Sequence, residues 1–217
     1  MNSDFLILLP VLLFSVVVHE VAHAWVALRE GDDTAQKLGR ITMNPVSHLD
    51  VVGSVVVPLV LYYTSGLVFG WAKPVPIDPR KFRTPHASDI KVSLAGIASN
   101  ILLAVGFTVL YVIFGKLQVA LDGLAVVGVV LRMCFFGVFI NLLLALFNLI
   151  PIPPLDGSHV MVHMLPEKLG LRYRKLGGYG ILVLMGLMFL VPSFFAVVFR
   201  PVFMIMDWWN ALMYLWI

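Results

Sequence analysis

The sequence predicts an all-α integral membrane protein, and three observations carry that prediction. Of the 217 residues, 60% are hydrophobic and only 12% are charged, with a mean hydropathy of +0.97. That balance belongs to chains whose solvent is lipid rather than water. Apolar runs long enough to cross a hydrocarbon core of ~30 Å recur along the chain, and a helix satisfies its own backbone hydrogen bonds, as lipid demands. Lys and Arg gather in a few connecting segments rather than along a stripe, a pattern that orients a membrane protein and excludes a nucleic-acid partner.

The first span covers roughly residues 5–28, ~36 Å at 1.5 Å per residue. No basic stretch precedes it and it exceeds a signal-peptide core in length, so no separate targeting segment is expected. Inside it lies His19-Glu20-Val21-Ala22-His23. Helical positions four apart share a face, so His19 and His23 can offer two imidazoles to one metal ion. Glu20 is one step round the helix, where a carboxylate can reach a water on that metal and act as general base without being a ligand. The chain has only three Glu, and an ionisable group in hydrocarbon costs at least ~2.5 kcal/mol, so two His and a Glu on one turn need a shared partner. A metal ion would supply it, as in the His-Glu-x-x-His arrangement of zinc hydrolases.

Residues 29–50 are polar, with Gly31, Asp32 and Asp33 ending the helix and Asn44-Pro45 marking a turn. Here His48 and Asp50 read as turn residues rather than partners that orient a ligand. The apolar stretch 51–69 contains Pro58 and Gly66 and is followed by Phe69-Gly70-Trp71-Ala72-Lys73-Pro74-Val75-Pro76; prolines so spaced argue for extended backbone. If this stretch dips into the membrane and returns, 12 of the 15 Lys and Arg fall on one side; if it crosses, the division is nine against six. The re-entrant course is favoured, with an ordinary spanning helix as the alternative.

Two further spans are expected at about 90–114 and 126–149, completing a three-helix core. Cys134 lies in an apolar span and, as the lone cysteine, can form no internal disulfide. Three prolines in Pro151-Ile152-Pro153-Pro154 break the third span before Leu155-Asp156-Gly157. A short helix over about 157–164 carries His159 and His163, and another span covers 177–199. Residues 201–217 are read as an interfacial helix or a short returning segment, their aromatics and Met161 and Met164 facing lipid. The whole chain, 1–217, reads as one membrane-embedded domain, with the core in 1–165 and additional helices in 166–217.

A catalytic zinc site needs three protein ligands and one open position. His48, Asp50, Asp156, His159 and His163 are the candidates for the third. On the re-entrant topology the first and third spans run the same way, so Asp156 lies at the depth of His19 and His23; a crossing stretch would leave it ~20 Å or more away. His159, His163 and Asp156 form a rival set. The pair is read instead as interfacial histidines, because no base carboxylate accompanies it. Asn148 is either a hydrogen-bonding residue at a helix end or a donor to negative charge developing on a carbonyl oxygen. Asn100, among small neighbours, is read as a helix-packing residue. A metal transporter using the His, Glu and Asp side chains as a translocation site is the competing function.

Taken together, His19-Glu20-x-x-His23 and Asn148-x-x-Pro151-x-Pro153-x-Leu155-Asp156-Gly157 resemble the site-2 protease family of intramembrane zinc metalloproteases. Ala95-Gly96-Ile97-Ala98-Ser99-Asn100 is similar to a further family segment, with Ile97 where the family usually has Pro. The compact form, with Gly39-Arg40, Asn44-Pro45, His48 and Phe69-Gly70-Trp71-Ala72-Lys73-Pro74-Val75-Pro76, resembles the short bacterial branch, and only residues 115–125 stand where a PDZ insertion would be. The resemblance implies zinc held by His19, His23 and Asp156, Glu20 as base, and Asn148 as a helper near the scissile carbonyl. It also implies an edge strand within 51–77 that holds a transmembrane-helix substrate unwound. Location would be the inner membrane, with the site towards the cytoplasm and the N-terminus outside.

Overall fold

Helix α1, Ser3–Arg29, carries the His-Glu-x-x-His turn and has Pro10 inside it. The computed structural model describes residues 3–57, 60, 63, 71–120 and 123–216, and no strand occurs among them. After the short helix α2, Thr34–Lys37, the chain makes a 3-10 turn at Pro45–His48 that Asn44 caps by accepting from the Val46 N–H. A π-helical turn follows at Val51–Val56, capped by Asp50 through the Gly53 N–H. His48 is 2% exposed, its Nε2 facing the Thr42 carbonyl at 2.9 Å. Both residues therefore serve the turn, as the Asn-Pro signal suggested.

Three long helices then form the core. Helix α3, Pro85–Ala120, runs antiparallel to α1: Glu30 pairs with Lys91 at 2.9 Å, the His23 ring meets the Val92 carbonyl, and the His19 ring meets Asn100. Helix α4, Ala125–Leu149, runs back antiparallel to α3 and parallel to α1. This direction brings the end of α4 to the level of the histidines. The Arg83 N–H donates to the Glu30 carbonyl at 2.9 Å, so the chain from 30 to 83 leaves and returns at one end of the α1–α3 pair. That is the course a re-entrant segment takes. Residues 58, 59, 61, 62 and 64–70 lie outside the described residues, and with them most of the stretch whose crossing the sequence left open.

Residues 71–78 form neither helix nor strand, as their prolines predict. Residues 51–57, by contrast, are helical rather than extended, and the edge strand expected within 51–77 is not found among its described residues. Trp71 and Lys73 donate their N–H groups to the carbonyls of Gly53 (3.1 Å) and His48 (2.9 Å), and Val75 donates to Glu20 Oε2 (2.9 Å). Arg40 donates to the carbonyls of Lys73 (3.0 Å) and Pro74 (3.3 Å). Asp32, 1% exposed, accepts from the Asp78 N–H at 2.7 Å and joins the start of this connection to its end.

Beyond α4 come helix α5, Asp156–Met164, helix α6, Glu167–Lys175, helix α7, Gly180–Leu190, and helix α8, Pro192–Trp216. Among the described residues, five helical stretches are long and apolar enough to cross a membrane: Leu6–Arg29, Pro85–Ala120, Ala125–Leu149, Glu167–Leu190 and Ser193–Trp216. The C-terminal boundary thus differs from the expected one. The break falls at Val191, with Pro192 at the first position of the new helix, where its missing N–H does no harm; Pro201 lies inside α8. Nor do all the C-terminal aromatics face lipid. Trp208 and Tyr214 are exposed, but Val202, Met206 and Trp209 pack on Val138 of α4, and the Trp209 indole donates to Thr108 Oγ1 at 2.9 Å.

Candidate active site

The site begins with two rings on one face of α1. His19 Nε2 and His23 Nε2 lie 3.0 Å apart, and both residues are buried, at 7% and 6% exposure. Their other nitrogens are spoken for: His19 Nδ1 lies 2.6 Å from Asn100 Oδ1 and His23 Nδ1 lies 2.7 Å from the Val92 carbonyl.

Backbone chemistry assigns the protons. The Asn141 amide nitrogen donates to the Gly137 carbonyl (2.8 Å) and to Ser15 Oγ (2.8 Å), while the Ser15 hydroxyl donates to the Val11 carbonyl at 2.8 Å. Asn141 therefore turns its oxygen to Asn100, which donates to it at 2.8 Å and turns its own oxygen to His19. Both Nδ1 atoms face acceptors only, so both carry hydrogen, and in the neutral rings both Nε2 atoms are left with lone pairs. Two lone pairs 3.0 Å apart repel unless something electron-poor sits beside them.

Asp156 comes to the same point from the far end of the core. It opens α5 directly after the proline-broken end of α4, and Gly157 is required there because a Cβ would collide with the Leu149 carbonyl. Asp156 Oδ2 lies 3.2 Å from His19 Nε2 and 3.3 Å from His23 Nε2. Among the described residues no hydrogen bond of ordinary geometry reaches that buried oxygen. Three electron-rich atoms with edges of 3.0–3.3 Å match ligands about 2.0–2.1 Å from one tetrahedral ion, whose ligand atoms sit roughly 3.3 Å apart. The donor set, two imidazoles and a carboxylate, fits zinc.

Gly96 of α3 makes room for this. A Cβ there would stand 2.5 Å from His19 Cε1 and from His23 Nε2, so any side chain would occupy the rings' own space. Glu20, on the adjacent flank of α1, accepts the Val75 N–H at 2.9 Å. Pro74 and Pro76 have no N–H, which makes Val75 the sole donor of that tripeptide. The Asn148 amide nitrogen donates to the Leu144 carbonyl of its own helix at 3.1 Å, the helix-end bond that was one of its two readings.

Two expectations are corrected here. Asn100 is more than packing, since it sets the tautomer of His19. His159 and His163 do have a carboxylate: Asp89 Oδ2 lies 2.6 Å from His163 Nε2 and Asp89 Oδ1 lies 3.4 Å from His159 Nδ1. Neither ring belongs to the three-atom cluster. The carbonyl of Val92 carries no side-chain signal and could not have been found from sequence. Asp89 could have been, as an acidic residue one turn from His86 at the mouth of an apolar run.

Comparison with known proteins agrees with this chemistry. The model of Peptidase family M50 matches residues 112–192, a range that holds the Asp156 motif but not the histidine pair. A protein named as a zinc metalloprotease, YwhC of Bacillus subtilis, is 38% identical over 192 residues, covering 85% of this chain and 82% of its own. Rip2 of Mycolicibacterium smegmatis, also named as a zinc metalloprotease, is 30% identical over 166 residues, 75% of this chain and 59% of its own. MJ0611 of Methanocaldococcus jannaschii, named likewise, is 37% identical over 108 residues, covering 48% of this chain and 50% of its own. No solved structure matches.

Proposed function

The chain belongs to peptidase family M50, the site-2 protease family, and on that premise we propose that His19, His23 and Asp156 hold the zinc of an intramembrane metalloprotease with Glu20 as its general base. The observation that carries this reading is the convergence of His19 Nε2, His23 Nε2 and Asp156 Oδ2 at 3.0–3.3 Å from one another. Zinc, when bound there, supplies a Lewis acid and makes a water acidic enough to lose a proton near neutral pH.

The chain's own residues do the rest. Asn100 and the Val92 carbonyl hold the two rings with their lone pairs inward. The Val75 N–H fixes one oxygen of Glu20 and leaves the other free to take the proton of the attacking water. As the water oxygen bonds to the scissile carbonyl carbon and the C–N bond breaks, Glu20 returns that proton to the leaving amine nitrogen. Asn148 is a donor at the end of α4 that can turn from Leu144 towards a carbonyl oxygen once a substrate is present.

The substrate is a transmembrane helix of another membrane protein, unwound to expose a peptide bond. The non-helical residues 71–77, whose Val75 N–H reaches Glu20, support this, since a peptide can add alongside non-helical backbone. The cluster of 12 Lys and Arg in the segments around 29–50, 70–91 and 150–177 supports a cytoplasmic placement for the site and an outside N-terminus in an inner membrane. The relatives are named as proteases, and nothing favours the transporter reading.

Purified Glu20→Gln protein tests the assignment. It is expected to keep zinc at the wild-type level and to lose cleavage of a reconstituted transmembrane substrate by at least ~100-fold. Wild-type turnover by that variant overturns Glu20 as base.

A further inference from the structure

We propose that Asp89 is a positioning residue for the third ligand, clamping α5 through His163 so that Asp156 stays in register with the two imidazoles; this rests on the zinc-site reading above.

One face of α3 supports both histidines and the helix that carries Asp156. Residues 89, 92, 96 and 100 follow one another at steps of three, four and four, which is a single stripe on a helix. Asn100 holds His19, the Val92 carbonyl holds His23, and Gly96 makes room for both rings. Asp89, 8% exposed, is the remaining position of the stripe, and it faces α5. Its Oδ2 lies 2.6 Å from His163 Nε2 and its Oδ1 lies 3.4 Å from His159 Nδ1. Arg174 of α6 approaches Oδ2 at 3.9 Å, and His86 of α3 meets the far side of the His163 ring, Nδ1 to Nδ1, at 2.9 Å.

Asp156, His159 and His163 are spaced i, i+3 and i+7, so the face of α5 that presents the carboxylate is the face gripped by Asp89. Rotation matters more than distance for so short a helix. A side-chain tip stands about 5–6 Å from the helix axis, so a turn of about 10° moves Asp156 Oδ2 by ~1 Å. A metal site tolerates about 0.5 Å. The nine-residue α5 is anchored at its first turn by Gly157 against Leu149, and the Asp89–His163 bond supplies a second anchor two turns on, which removes the rotation. The cluster is not a second metal site, because His163 has already committed Nε2 to Asp89 and Nδ1 to His86.

The test is zinc affinity of the purified full-length protein in detergent, by competition with a chromogenic chelator, for wild type, Asp89→Ala and Asp89→Asn. The amide oxygen of Asn can still accept from His163 Nε2. Asp89→Ala is expected to weaken zinc binding by ~10–100-fold, the usual effect of losing a residue that supports a ligand, and Asp89→Asn to recover most of that loss. In the metal-free proteins, amide exchange across 156–164 should quicken in Asp89→Ala while that across 15–28 stays as in wild type. Unchanged zinc affinity in Asp89→Ala overturns the clamp, and so does exchange that quickens equally in both segments. If Asp89→Ala does not purify folded, His163→Phe carries the same two expectations. A wild-type protein that binds no zinc sinks the active-site reading itself, whereas zinc held equally by wild type and Asp89→Ala sinks the clamp alone.

Discussion

His19 Nδ1 and Asn100 Oδ1 meet at 2.6 Å across the α1–α3 interface, and this contact decides which nitrogen of the ring can bind a metal. The decision is relayed from the backbone: the Gly137 carbonyl orients Asn141, Asn141 orients Asn100, and Asn100 orients His19. A buried polar chain of this kind is worth keeping only if every member is satisfied, and each of these is.

Asn100→Ala breaks the relay while leaving the ligands in place. Zinc affinity is expected to fall by ~10–100-fold, read by chelator competition, with helical circular dichroism unchanged. Asn100→Asp, which keeps the accepting oxygen, should lose less than Asn100→Ala.

Gly96→Ala tests the space rather than the hydrogen bonding. A methyl group 2.5 Å from His19 Cε1 and His23 Nε2 forces the two rings apart. Elemental analysis should find the purified variant without stoichiometric zinc, although it still inserts and folds. Full zinc occupancy would contradict the packing described here.

Val75→Pro removes the N–H that, among the described residues, reaches Glu20 from outside α1 and leaves His19, His23 and Asp156 untouched. A hydrogen bond to a charged group contributes about 1.5–3 kcal/mol, so kcat is expected to fall by ~10–100-fold at constant zinc content. A loss of zinc in this variant would mean that the non-helical segment does something other than orient the base.

Much of this was legible in the sequence, for identifiable reasons. His19, Glu20 and His23 announce themselves because charge in an apolar helix needs a partner, and Asp156 follows from the direction in which the spans must run. The absence of helix over 71–78 is written in Pro74 and Pro76. What stayed hidden is what sequence cannot encode locally. The Val92 carbonyl belongs to the backbone, and the Asn100–Asn141 bond joins residues 41 positions apart. Asp89 drew no reading from the sequence, because its partners His159 and His163 lie 70 or more positions away. The end of α7 was misplaced because Pro201 looks like a breaker, whereas Pro192 starts the helix that contains it.

The connection between α1 and α3 should be acid-sensitive. Burial alone would raise the Asp32 carboxyl, but the Thr34 hydroxyl, the N–H groups of Asp78 and Thr34, and Lys81 outweigh it and hold it below the ordinary 3.8. A depressed carboxyl contributes stability that is present above its unfolded value and is lost as pH falls through the folded one. Thermal stability should therefore drop as pH is lowered below about 4, and Asp32→Asn, costing about 1–3 kcal/mol, should flatten that dependence. A variant with the wild-type acid profile would remove Asp32 as its cause.

X-ray absorption at the zinc edge, on purified wild type beside Asp156→Ala, tests the central claim most directly. The wild type should hold one zinc per chain with two imidazole nitrogens and an oxygen at about 2.0–2.2 Å in its inner shell, and Asp156→Ala should lose that oxygen together with most of the metal. Equal zinc content and an identical inner shell in the two proteins would contradict it.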